Sequence, residues 1–157
     1  MLAENDSKRR RVLERLQSEM EQIDIEGRVV KKGEEGSGFD ILVCNLSDIP
    51  GLPGGITGNY FFPDGEAAEN VFYFTCMVTI KENLSKEEED KIRGRLDEIN
   101  LGLACGMFAV YPEIGLVYKL SYPVSEGLDE DALFEMIDIA ASHSVVFVRA
   151  YAEKLLD

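Results

Sequence analysis

Between residues 4 and 23, apolar side chains recur at three- and four-residue steps: Val12, Leu13, Leu16, Met20 and Ile23. That spacing draws one stripe, so the first predicted element is a helix with a single buried side. A weak strand at 27–32 follows, then a glycine-rich turn from Gly33 through Gly36 to Gly38. Over residues 39–46 the period falls to two, with Phe39, Ile41 and Val43 alternating with Asp40, Leu42 and Cys44, which is strand spacing. Residues 49–55 are too rich in Pro and Gly for regular structure. Residues 60–62 form a short aromatic strand closed by the Pro63-Asp64-Gly65 turn. The clearest strand is 71–80. Phe72, Phe74, Cys76, Val78 and Ile80 give it one wholly apolar face, while Val71, Tyr73, Thr75, Met77 and Thr79 make the other mixed.

Ser85 and Glu88 form a capping box, and the acids at 87–90 suit the positive end of the helix it opens. That helix runs to about residue 100 and buries Ile92, Leu96 and Ile99. Strands at 104–111 and 116–122 are joined by Pro112-Glu113-Ile114-Gly115, an antiparallel hairpin. Asp129 caps a last helix reaching Leu156, with Leu133, Met136, Ile137, Ala140, Ser144, Val148, Tyr151 and Leu155 as its stripe. At 1.5 Å per residue it is about 42 Å long, so its last turns either project or pack on something. The order is α-β-β-β-β-α-β-β-α, with the helices gathered on one face of a single antiparallel sheet, an α+β fold. Phe72, Phe74, Val78, Leu96, Ile99, Leu133 and Ile137 are expected to share the core.

The 157 residues suit one domain, 1–157, with a basic N-terminal helix at about 4–23 and a core from about 25 to 157. The net charge of -14 repels phosphate backbones and anionic lipid, so no nucleic acid and no membrane is expected as a partner. The charge is uneven. Residues 1–32 carry eight bases against seven acids, and the remaining 125 carry eight against 23. The early Lys/Arg run reads as a solvated face, the alternative being attraction to an acidic surface of this chain or of a partner. Three separated cysteines, Cys44, Cys76 and Cys105, without a C-x-x-C pair and with one histidine, fit a reducing compartment. No signal-peptide pattern opens the chain and no apolar run is long enough to span a bilayer, so the expected location is cytoplasmic.

Candidate chemistry is thin. The glycines at 33–38 precede a strand rather than a helix and carry Glu34 and Glu35, which would repel a phosphate, so a hairpin turn accounts for them. His143 lies beside Ser142 and Ser144 in a helix, where adjacent side chains diverge and cannot form a dyad. The acidic runs at 87–90 and 129–131 each open a helix, where the dipole already favours them. Cys105, next to Gly106, reads as core. Tyr60, Phe61, Phe62, Phe72, Tyr73 and Phe74 could stack bases, but their acidic neighbourhood lacks Arg and Lys. The second face of the sheet, with Tyr73, Met77 and Val117, is too apolar to be plainly solvated and too polar to be plainly core. It is the candidate partner-binding face.

The stretch Ile99-Asn100-Leu101-Gly102-Leu103-Ala104-Cys105-Gly106-Met107-Phe108-Ala109-Val110, a hairpin, and then Gly127-Leu128-Asp129 opening a long helix resembles the YbjN-like family. That family is similar in fold to the type III secretion chaperones. Asn100 matches its helix-ending Asn and Gly106 its strand-opening Gly, whereas Asp97 stands where the family often has Asn. The resemblance spans residues 71–157, and neither the 49–58 insertion nor the 33–38 turn has a counterpart. It implies a non-enzymatic, protein-binding role and a tendency to form a homodimer, with no catalytic, cofactor-binding or metal residues. Two other classes stay open: a small-molecule sensor, which needs an enclosed apolar cavity, and a small carboxylate-dependent hydrolase, which needs convergent polar groups in a closed pocket.

Overall fold

A computed structural model of the chain describes residues 2–63 and 70–157, with side chains from residue 6 onward. Its elements are α1 (Leu2–Glu21), β1 (Gly27–Val30), β2 (Ile41–Asn45), β3 (Thr57–Phe61), β4 (Val71–Lys81), α2 (Lys86–Leu101), β5 (Met107–Tyr111), β6 (Gly115–Ser125) and α3 (Glu130–Leu156). The strands form one open antiparallel sheet in the order β1-β2-β3-β4-β6-β5. The fold is α+β, as the hydrophobic pattern predicts. Of the Pro63-Asp64-Gly65 turn, only Pro63 lies within the described residues.

β4 lies inside the sheet, between β3 and β6, with one face wholly apolar. Phe72, Phe74, Cys76, Val78 and Ile80 are all buried, and they meet Leu13 and Leu16 of α1, Ile92 of α2, and Leu133, Ile137 and Ala140 of α3 in one cluster. All three helices therefore bury their stripes against the same side of the sheet. Leu96 and Ile99 are half-buried at the margin of that cluster. Cys44 and Cys76 are buried and Cys105 is half-buried. Burial pushes the Cys44 thiol up to about 12, and the Cys76 thiol is also raised, so both behave as small apolar groups.

β6 continues beyond the predicted 116–122 and passes through Pro123, which is paired with Tyr73. A proline fits because β5 pairs with β6 only as far as Lys119. The Phe108 N–H and carbonyl turn away from β6 to the Asn100 side chain, at 2.8 and 2.9 Å. By the alternation of an antiparallel ladder, residue 123 directs its backbone toward the side β5 has vacated, where no N–H is needed. Gly106 precedes β5 at φ 70, and a Cβ there would lie 2.3 Å from the Tyr118 hydroxyl. Only glycine fits.

Two expectations are corrected, and the alternative left open for α3 is resolved. Ile23 is not on the buried stripe but 68% exposed. α1 ends two residues early, at Glu21: Asp24 adopts φ 62, and the Ile25 N–H reaches back to the Met20 carbonyl (3.0 Å), so Ile25 enters the core instead. Secondly, the basic run of α1 is not simply solvated, because it faces this chain's own acids. Arg10 pairs with Asp40 (2.8 Å), Arg9 with Glu126 (3.3 Å), Arg11 with Glu130 (2.8 Å) and Arg15 with Asp131 (2.7 Å). Arg9 and Arg15 also lie over the rings of Phe72 and Phe134, at 4.1 and 3.9 Å from the centroids. Of the two alternatives for the last turns of α3, packing holds. Leu155 is fully buried, Arg95 of α2 donates to the Lys154 carbonyl (2.7 Å), and Lys91 donates to the carbonyl of Asp157. The length of α3 is used within the chain and gives no reason for a partner.

Candidate functional site

Strand register lays the second face of the sheet out in rows. One row runs Val30, Ile41, Phe61, Thr75, Ser121. The next runs Arg28, Val43, Asn59, Met77, Lys119, Met107, and the third Asn45, Thr57, Thr79, Val117, Ala109. Tyr73 and Pro123 extend the face along the longer β4–β6 pair. In a chain of 30 acids, none of these positions holds a carboxylate. The face is built of aliphatic, aromatic, thioether, hydroxyl and amide groups with two cations.

Tyr73, Met77 and Val117 do fall on this one face, but they are not equally available. Tyr73 is 40% exposed and Met77 half-buried, whereas Val117 has 0% exposure. Val117 sits between Thr79 of β4 and Ala109 of β5, in a strand flanked on both sides, so its neighbours close over it. It supports the face from beneath and does not itself meet a partner. Met107, at 47% exposed, is a further apolar residue of this face that the β5 sequence concealed, since it opens the strand next to the special glycine. Its register opposite Lys119 could be found only by pairing the hairpin first. Lys119 lies between Met77 and Met107 and makes no ion pair among the described residues. Thr75 is buried and bonds Ser121 across the strands at 3.0 Å. Phe39 and Phe61 stack at 4.8 Å beside the first row.

Most of the groups that the sequence singles out for chemistry have structural partners. Glu88 accepts from Lys81 (2.6 Å) and from the Ser85 N–H (2.8 Å), which together hold its pKa down at about 2. Glu89 pairs with Arg93, Asp90 with Lys86, and Asp129 accepts from the Ala132 N–H. Burial raises the carboxyl of Asp40, but hydrogen bonds from Arg10 and the Lys32 N–H outweigh it and leave the pKa lowered. His143 is exposed on α3 with its ring 6.2 Å from Phe147, and the Ser144 hydroxyl donates to the Ala141 carbonyl at 2.6 Å. Gly33–Gly38 closes the β1–β2 hairpin, where Arg28 pairs with Glu35 (2.8 Å). Among the described residues, no three His, Cys, Asp or Glu side chains gather where they could hold a metal ion. An apolar groove of about 510 Å³ lies between α1, the segment after β2, and α3, and it opens to solvent. No helix of the described residues is long and apolar enough to cross a membrane.

These features define an α+β fold with three helices on one side of an open antiparallel sheet and, on the other, a face whose described strand positions hold no carboxylate. Set against protein-family models, curated proteins and solved structures, the chain matches none of them.

Proposed function

We propose that the chain is a non-enzymatic, cytoplasmic protein-interaction module of secretion chaperone-like fold. It docks another protein, or a second copy of itself, through the face that bears Tyr73, Met77 and Met107. The observation that supports this reading is the charge pattern of that face. A protein at -14 keeps its acids off a six-stranded surface whose outward positions include Tyr73, Phe61, Met77 and Met107. Apolar side chains without acids among them suit an interface core, and here Lys119 is the one cation between the two methionines. Two copies meeting there would not set carboxylate against carboxylate, and beyond about 8 Å the remaining repulsion is screened at physiological salt. The resemblance to the YbjN-like family points the same way.

Sedimentation equilibrium at micromolar concentration, alongside affinity capture from source-cell lysate, tests the reading with wild type and the double variant Tyr73→Asp, Met107→Asp. Both residues are exposed, so the variant keeps its core. Wild type is expected to associate with itself or to retain a defined protein, and the variant to lose that association. A single 17.5 kDa wild-type species that retains nothing, or a variant that binds as well as wild type, overturns it.

A further inference from the structure

The groove on the helical side has its own chemistry. Its floor is apolar: Leu16 and Met20 of α1, Ile25, Leu46, and Ala141 and Val145 of α3. One lip is Ile23, left in solvent by the early end of α1. Ile49 and Pro50 make the opposite wall, and they belong to the 49–58 insertion that sets this chain apart from the family it resembles. That wall is held in place by α3. The stem of Arg149 lies against Gly51, where a Cβ would be 3.4 Å from Arg149 Cδ, and Gly51 takes φ 82.

Carboxylates from four separate stretches of chain line this groove: Glu19 on α1, Asp24 in the turn that ends it, Asp48 before the insertion, and Asp138 on α3. Among the described residues, none of the four makes an ion pair or a side-chain hydrogen bond. Arg149 is the only cation among the lining residues. Glu88, Glu89, Glu130 and Asp131 on α2 and α3 cap a helix or pair with a cation, whereas these four carboxylates converge from separate stretches onto one apolar groove.

We infer that this groove is a docking site for a basic amphipathic segment of another protein, a stretch with an apolar face and flanking Lys or Arg. The apolar face would fill the floor between α1 and α3, as helix-in-groove recognition does, and the cations would meet the carboxylates. A second copy of this chain is the wrong occupant. It brings a net charge of -14, and the arginines of its α1 are already held by its own acids. The site stands apart from the sheet-face reading and does not depend on it.

The test is fluorescence anisotropy with a labelled synthetic helix of about 15 residues, its leucines at i, i+3/i+4 and i+7 and lysines elsewhere, set against the same peptide with glutamates for lysines. The lysine peptide is expected to bind saturably and the glutamate peptide not to bind. Reversing the charge at the groove, Asp24→Lys with Asp138→Lys, should weaken binding about tenfold or more, whereas Glu98→Lys with Glu153→Lys, an equal change in net charge away from it, should alter binding less than about twofold. Ile23→Asp should weaken binding with the fold intact, because Ile23 is exposed. Absence of saturable binding overturns the proposal. Equal losses from the two charge-reversal pairs overturn it as well, by reducing the effect to the overall field of the protein. Tyr73→Asp with Met107→Asp is expected to leave peptide affinity unchanged, which keeps failure here distinct from failure of the sheet face.

Discussion

Asn100 and Gly106 both have structural tasks. Asn100 holds both backbone groups of Phe108, which would otherwise face outward from the edge strand, and so blunts an edge onto which another strand could add. Gly106 leaves room for the Tyr118 hydroxyl, which donates to the Cys105 carbonyl at 3.0 Å. Neither task is legible from spacing, because residues 100, 108 and 118 come together only when the β5–β6 hairpin has folded back. Core positions are different. Phe74 is readable as core from β4 alone, and it lies fully buried with its ring 5.1 Å from that of Phe62. Phe74→Ala is therefore expected to cost about 3 to 5 kcal/mol of stability, measured by urea unfolding. A loss within about half a kcal/mol would mean that the side chain faces solvent.

Among the elements, α2 was the most legible in sequence, since Ser85 and Glu88 announce its start and the reciprocal bonds of the capping box are both present. The carboxylate of Glu88 also has a pH consequence. Its folded pKa of about 2 is depressed from 4.5 by the Lys81 and Ser85 hydrogen bonds. The stability this group contributes is therefore present above 4.5 and lost as the pH falls toward about 2. Titration of the Glu88 side-chain carboxyl by NMR should give a midpoint near 2, and Ser85→Ala should shift it upward. A midpoint at 4.5 in wild type would mean that the bonds do not form in solution. The end of α1 was less legible than the start of α2. No glycine marks it, and Asp24 takes the left-handed position that glycine usually fills, so the hydrophobic step to Ile23 reads as one more turn of helix.

For the molecule as a whole, the alternation of β4 against the helical stripes made the fold class readable, and the two surfaces less so. The mixed face of β4 showed in Tyr73 and Met77. Its freedom from acids appeared only when six strands were set in register, and Val117 proved to lie beneath it. The groove could not be read at all, because its walls come from helix, turn and insertion far apart in sequence. The ties of α1 have a dynamic consequence. This helix is joined to the sheet chiefly through β1 and β2 at the edge, and its arginines reach acids near the start of α3, in the turn before it, and at the start of β2. Such half-exposed pairs weaken as salt rises, while the packing of β4 against β6 does not depend on charge. Native-state hydrogen exchange should therefore find the amides of α1 opening first, and opening sooner in about 1 M salt than in dilute buffer, with those of β4 and β6 unmoved. Equal protection of α1 and β4 at both salt concentrations would show a single cooperative unit instead. If α1 does open alone, Leu13 and Leu16 come away from the core with it, and the helix acts as a removable cover over the apolar interior, tightened or loosened by ionic strength.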